Sequence, residues 1–310
     1  MFESEVPTGR SRHYSTATDT RQVTVGGRPV RVRVSGPHDG EPILLIHGIA
    51  RSLEDWKASH DLLARDHRVI SMDLPGFGLT RKMRGRPGLE GFAKAVVGVL
   101  DSLGEKRPVH LMGNSLGGAV AMAVAAHYPE RVASLVLANS AGFGRKVHIS
   151  PLPIMWAALS NVPGGIGRRT GLKAREAGAQ INRDLFYDPS FATPEMIKHA
   201  ATVGRQPDFQ ATFMGTALTM GVPGFGTFPG WRRELLTAVR ESGIPVLVVW
   251  GDTDNVLPVE HLESVATVLP DAHTHLFAQT GHMPQIERAD EFVQLASEFV
   301  GKSRPSRASR

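Results

Sequence analysis

Apolar and polar positions along the chain follow two rhythms. In "RQVTVGGRPVRVRVSGP" (21–37) valines alternate with polar residues on both sides of Gly26-Gly27, which predicts an antiparallel hairpin around a tight turn. Beyond it the alternation gives way to short runs that are apolar almost throughout: "PILLIHG" (42–48), "RVISMDLPG" (68–76), "PVHLMGNS" (108–115), "RVASLVLANS" (131–140), "IPVLVVWGD" (244–252) and "AHTHLFAQTGH" (272–282). Each turns glycine-rich or polar at its C-terminal end. Most are separated by segments of helical period, at 89–103, 116–127, 258–268 and 284–300. Strands alternating with helices predict an α/β chain with a mostly parallel central sheet flanked by helices on both faces. In such a sheet ligands collect beyond the C-terminal strand ends, where the unusual residues of this chain also gather.

One interval breaks the rhythm. Between Gly144 and Trp231 no clean strand is legible, whereas "PLPIMWAALSNVPGG" (151–165), "TPEMIKHAATVG" (193–204) and "FQATFMGTALTMG" (209–221) have helical character and are rich in methionine and aromatics. The interval is too long for a crossover and too apolar for an unstructured loop. Its place between two strand ends favours an inserted helical cap over a helical satellite remote from the site. The expected organisation is a core of 21–143 and 232–301, a cap of 144–231, and flexible tails at 1–20 and 302–310.

Composition narrows the classes. A chain of 310 residues that is 41% hydrophobic buries a large core, and with no cysteine it has no disulfide or thiolate chemistry. The formal charge of +5 is mostly terminal: Lys302, Arg304, Arg307 and Arg310 stand in the last ten residues with no acid. No basic stripe interleaved with aromatics occurs elsewhere, so nucleic acid is not an expected partner. Residues 1–20 lack the basic start and apolar core of a secretory signal, and no uncharged stretch reaches membrane-spanning length. The expectation is a soluble cytoplasmic protein, monomer or homodimer, acting on a small hydrophobic molecule without cofactor or metal.

The chemistry concentrates in "PVHLMGNSLGGAVAMAVAAH", which reads strand, G-x-S-x-G, helix. A serine at so sharp a turn is lifted above the sheet, and Gly113 and Gly117 stand where a β-carbon would clash. The helix N-terminus adds unpaired amides and positive potential where an oxyanion forms. A longer glycine loop with a lysine would have indicated a phosphate site. Ser115 is therefore the candidate nucleophile, and it needs a base. Of thirteen histidines, His282 follows the last strand on the loop before the final helix. His47 at the first parallel strand end is expected to structure the loop beside the site, and His110 inside a strand to be structural. His273 and His275 have no catalytic context, nor do His60, His67 and His199, which read as exposed.

The acid that orients His282 is sought between the two, in "VLVVWGDTDNVLP". Asp254 is favoured over Asp252, which sits at the strand exit where it can cap the turn. The other place for an acid, after the preceding strand, holds Asn139 and Ser140, which carry no charge. The oxyanion hole is expected from the amide of Leu116 and that of Ile49, with Ala50 as the one-residue alternative.

These segments, with "LLIHGIARSLEDW", "VISMDLPGFGLTRK" and "GHMPQIERADEF", resemble the α/β-hydrolase superfamily of serine esterases and carbon-carbon bond hydrolases. The likeness covers about residues 22–143 and 232–300. It implies the α/β-hydrolase fold, Ser115 as nucleophile, Asp254 as acid and His282 as base, and a turn at Asp73 to Gly78. Asn114 resembles the hydrolases of aromatic meta-cleavage products, which usually carry a tryptophan after the histidine where this chain has Met283. Asn114, Trp156, Phe213 and Met283 are the candidate substrate contacts. The cluster Arg168, Arg169, Lys173 and Arg175 reads more as a solvated helix face than as a carboxylate site. The expected activity is hydrolysis of a hydrophobic or aromatic carboxylic ester through an acyl-serine. Cleavage of a meta-cleavage diketo acid, or non-catalytic small-molecule binding on the same fold, are the alternatives.

Overall fold

The computed structural model of the chain describes residues 19–148, 176, 178–222 and 226–303. Of the two expected tails, residues 1–18 and 304–310 lie outside the described residues, as do Trp156 and the basic cluster at 168–175, whereas Thr20 already opens the first strand and Lys302 still belongs to the last helix. The frame is an eight-stranded sheet made of β1 (Thr20–Val25), β2 (Arg28–Ser35), β3 (Pro42–Ile46), β4 (Arg68–Met72), β5 (Val109–Asn114), β6 (Val132–Ala138), β9 (Val246–Gly251) and β10 (His273–Phe277). Two-residue strands β7 (Gly221–Val222) and β8 (Gly226–Thr227) form a separate ribbon. The order is β1-β2-β4-β3-β5-β6-β9-β10, with β1 and β2 antiparallel and every pair from β4 to β10 parallel. The hairpin turns where the sequence places it, with Gly26 at φ 54° and Gly27 at φ 75°, the left-handed pair that matches strand twist.

Alternation along the buried strands sorts the core into two layers. Leu44 and Ile46 of β3, with Leu111, Leu135 and Trp250, pack on α2 (Leu89–Ser102), α3 (Leu116–His127) and α6 (Pro229–Ser242). Ile43 and Leu45, with Met112, Val136 and Val249, pack on Trp56, α1 (Lys57–Leu63) and α10 (Ala289–Lys302). Two helices expected as continuous are broken. One becomes α7 (Glu260–Glu263) and α8 (Val265–Val268); the other becomes α9 (Pro284–Glu287) and α10, parted at Arg288 with φ −128° and ψ 43°.

Within the inserted segment lie α4 (Pro194–Gly204) and α5 (Phe209–Met220). Thr193 caps α4, its hydroxyl accepting from the Met196 amide, and Pro194 occupies the first turn. Leu185, Phe186, Ala192 and Met196 form an apolar cluster with Met283 and Ile286 of the core, so this segment is fastened directly to the loop that carries His282. On α5, Phe213 stacks on Phe209, which meets Phe77 edge-on at 6.2 Å. α6 starts at Pro229, three residues before the boundary drawn from the sequence, and packs on α3.

Three histidines that read as exposed are buried: His60 is 0% exposed, and His67 and His199 are 8% exposed each. Their surroundings come from far along the chain. His60 Nδ1 lies 2.6 Å from Ser71 Oγ, and His199 Nε2 on α4 lies 2.9 Å from Ser52 Oγ and 3.2 Å from Glu54. No helix among the described residues is long and apolar enough to cross a membrane.

Candidate active site

At the centre of the sheet, β5 ends and α3 begins one residue apart, and Ser115 fills the gap with φ 56° and ψ −117°. That left-handed, strained conformation follows from reversing direction in a single residue. The turn closes because two glycines let backbones approach. A β-carbon on Gly113 would run into the carbonyl of Gly117, and one on Gly117 would run into the carbonyl of Ile46. The Ser115 amide donates to Ala138 O at 3.1 Å and its carbonyl accepts from the Ala141 amide at 3.0 Å, which ties the turn to the end of β6.

The loops after β9 and β10 meet beside it. His282 Nδ1 lies 2.8 Å from Asp254 Oδ2, with both side chains buried. A carboxylate only accepts, so Nδ1 carries the proton and Nε2 is left as an acceptor. Oδ2 also accepts from Asn139 Nδ2 at 2.6 Å, while Oδ1 accepts from the amides of Val256 at 2.7 Å and Leu257 at 3.0 Å. Asp252 turns away and accepts from the Thr280 amide at 3.2 Å. Among the described residues the Ser115 hydroxyl and the His282 ring make no hydrogen bond to each other. The two are joined instead through Asn114, whose Nδ2 donates to His282 O at 2.9 Å and to Ala138 O at 3.2 Å.

The loop after β3 closes the other side. A β-carbon on Gly48 would stand 3.3 Å from the Ser115 β-carbon and 3.4 Å from Asn114 Oδ1. His47 is wholly buried: the Leu74 amide donates to its Nε2 at 2.9 Å, so Nδ1–H donates to Gly48 O at 2.7 Å. Burial holds this imidazole below its ordinary pKa, and as a neutral ring it serves both bonds. Ala50 takes φ 61°, a left-handed turn directly after Ile49. Among the described residues the amides of Ile49 and Leu116 have no hydrogen-bond acceptor. Arg51 follows, forked on Asp55 at 2.6 and 2.7 Å and bonded to Asn182 of the inserted segment at 2.6 Å.

Of the expected substrate contacts, Phe213 is half-buried at the inner face of α5. Asn114 spends its amide hydrogens on two backbone carbonyls, and Met283, 1% exposed, packs into the cluster under the inserted segment. Both hold the histidine loop. Trp156 lies outside the described residues.

Two further residues belong to the site although the sequence does not point to them. Asn139, passed over for want of charge, has φ 43° and holds the carboxylate that faces His282. Its position at a strand end adjacent to β9 was the available signal. Glu287 accepts from the Gly281 amide at 2.7 Å; being the one acid in "HMPQIE" is its only mark in the sequence, too weak to single it out.

Comparison with known proteins agrees with this architecture. The chain is 32% identical over 91% of its length to the dihydrolipoyllysine-residue acetyltransferase component of the acetoin cleaving system of Pseudomonas putida, covering 69% of that protein. It is 29% identical over 84% of its length to the 2-hydroxy-6-oxo-6-phenylhexa-2,4-dienoate hydrolase of Comamonas testosteroni, covering 88% of it. The solved meta-cleavage product hydrolase of Pseudomonas fluorescens IP01 superposes with a TM-score of 0.73 at 25% identity, over 92% of this chain and 98% of that one. Residues 43–295 match the model of the alpha/beta hydrolase family, and the chain is a hydrolase belonging to that family.

Proposed function

We propose that this hydrolase cleaves a carboxylic ester of a hydrophobic or aromatic substrate through an acyl-Ser115 intermediate. The observation that carries the reading is a strained Ser115 turn tied through its neighbour Asn114 to the loop of an Asp254-oriented His282 whose Nε2 is an acceptor. In the first step the Ser115 hydroxyl turns toward Nε2, gives up its proton and attacks the ester carbonyl. Charge develops on the former carbonyl oxygen, where the amides of Leu116 and Ile49 and the N-terminus of α3 stabilise it. His282 then protonates the leaving alcohol, and a water activated by the same ring releases the acid. Asp254 keeps the proton on Nδ1 throughout and stabilises the imidazolium.

The inserted segment acts as a cap over this site, with Phe213 and Phe209 supplying an apolar, aromatic wall. The names of two relatives favour a second reading, carbon-carbon cleavage of a meta-cleavage diketo acid by the same serine. The deciding measurement is kcat/KM on neutral p-nitrophenyl esters of increasing acyl length beside a vinylogous 1,5-diketo acid. Ester turnover that Ser115→Ala abolishes in a folded protein is the expected result. A preference for the diketo acid of a hundredfold, about 2.7 kcal/mol in barrier, overturns the ester reading. A protein that binds ligand but neither turns over nor labels with a fluorophosphonate is a binding module.

A further inference from the structure

Directly behind His282, the short turn α9 carries Glu287, a half-buried acid with no cationic partner among its bonds. Its Oε1 accepts from the Gly281 amide at 2.7 Å and its Oε2 from the Tyr187 amide at 2.9 Å, and the Asp188 amide is a third donor. Gly281 adjoins the histidine, whereas Tyr187 and Asp188 belong to the cap, 100 residues away along the chain. The same two stretches meet again where the His282 amide donates to Leu185 O at 2.7 Å. Gly281 lies flat on the cap backbone, so that a β-carbon there would stand 2.6–2.8 Å from Leu185, Phe186 and Tyr187 backbone atoms. We infer that Glu287 is a positioning residue, whose ionised carboxylate clamps cap residues 185–188 to the histidine loop and so keeps His282 aimed at Ser115. The inference rests on the reading of His282 as general base.

The protonation state matters because of the donors. Three amide N–H groups converge on one carboxyl group, and a carboxylate accepts all of them. A protonated carboxyl must turn an O–H toward an amide hydrogen or release one of the bonds. Burial works against ionisation: Glu287 is pushed up to about 7 by desolvation, with the Asp188 charge adding to the rise and the amide bonds opposing it. Several other charged groups on neighbouring elements have partners of their own. Lys57 and Asp61 of α1 bond each other, Arg288 reaches Glu291, Glu54 and Asp55 hold Arg31 and Arg51, and His282 holds Asp254. Burial keeps His60, also on α1, neutral. The clamp therefore closes as pH rises through neutrality.

The test is the rate of Ser115 labelling by a fluorophosphonate across the acid limb, with kcat and KM on a p-nitrophenyl ester, all normalised to titrated active sites. In the wild type two groups must be deprotonated, so log rate is expected to fall with a slope approaching two. Glu287→Gln is expected to reduce the limb to a slope of one and to lower kcat about 10–100-fold while KM stays within about threefold. A purely structural role would reduce the titrated sites and leave the slope unchanged. A wild-type slope of one, or a Glu287→Gln rate within about twofold of wild type, overturns the inference. Should Glu287→Gln fail to fold, the wild-type slope alone decides. Absence of labelling in the wild type overturns the reading of Ser115 and His282 together with this inference, whereas labelling with a slope of one overturns the inference alone.

Discussion

Four hydrogen bonds converge on the Asp254 carboxylate, two from backbone amides on Oδ1 and one each from Asn139 and His282 on Oδ2. Every donor is oriented by an element outside the aspartate's own strand or by the turn that follows it, so the oxygen facing the imidazole has little freedom. An asparagine at 254 would set an N–H₂ group against at least one of these donors and favour the wrong tautomer of His282. Asp254→Asn is therefore expected to lower kcat about 10³–10⁴-fold with the fold retained. Asp252→Asn keeps an oxygen for the Thr280 amide and should shift stability by less than about 1 kcal/mol and leave kcat nearly unchanged. Steady-state kinetics and urea melts on the two variants separate the roles; equal losses of kcat would contradict the assignment.

Among the elements, α3 is the member that sets the site. It is buried from Leu116 through Ala125, and its run of glycine and alanine lets it lie against the C-terminal end of β3. Adding one methyl at Gly117 forces it into the Ile46 carbonyl, a backbone atom that cannot rotate away. Gly117→Ala should cost about 3 kcal/mol or more, because overpacking here displaces both the helix and the loop that carries Ile49. A urea midpoint within error of wild type would show that the elements part easily. Through Ala125 the helix has no polar face, because the sheet covers one side while α2 and α6 cover the others.

Across the molecule as a whole, buried titratable groups make stability depend on pH in a stated direction. Burial holds His47 below its ordinary value, His60 down at about 3 and His261 down at about 4. As pH falls below the ordinary histidine range the unfolded chain takes up these protons and the folded chain does not, so stability is lost. Glu287, pushed up to about 7, acts oppositely, since between that value and the ordinary carboxylate range the folded chain holds a proton that the unfolded chain has released. Asp73, whose carboxyl burial also raises, acts in the same direction as Glu287, so three histidines stand against two acids and the unfolded state binds a net excess of about one proton between about pH 6 and pH 5, where stability should fall with pH by about 1 kcal/mol per pH unit. Urea midpoints across that interval measure the slope. A flat profile would contradict it, and His261→Phe should reduce it.

Local sterics and chain order leave their mark in the residues themselves. The Gly26-Gly27 turn, the alternation of core strands with helices, and the strained turn at Ser115 all follow from contacts between residues close in sequence, which leave a residue-type signature. His282 and Asp254 stood out because parallel strands in this order deliver the polar ends of their loops to one edge. Contacts between distant residues carry no such mark and were settled only when the chain folded. Asn114 bonds the carbonyl of a residue 168 positions away, and His199 reaches Ser52 across 147. The roles of Asn139 and Glu287, the packing of Met283 and the burial of His60, His67 and His199 are of this kind. A polar side chain is placed inside by the partner that satisfies it, and that partner is specified by how two loops meet, a geometry to which neither local stretch contributes a repeat or a period.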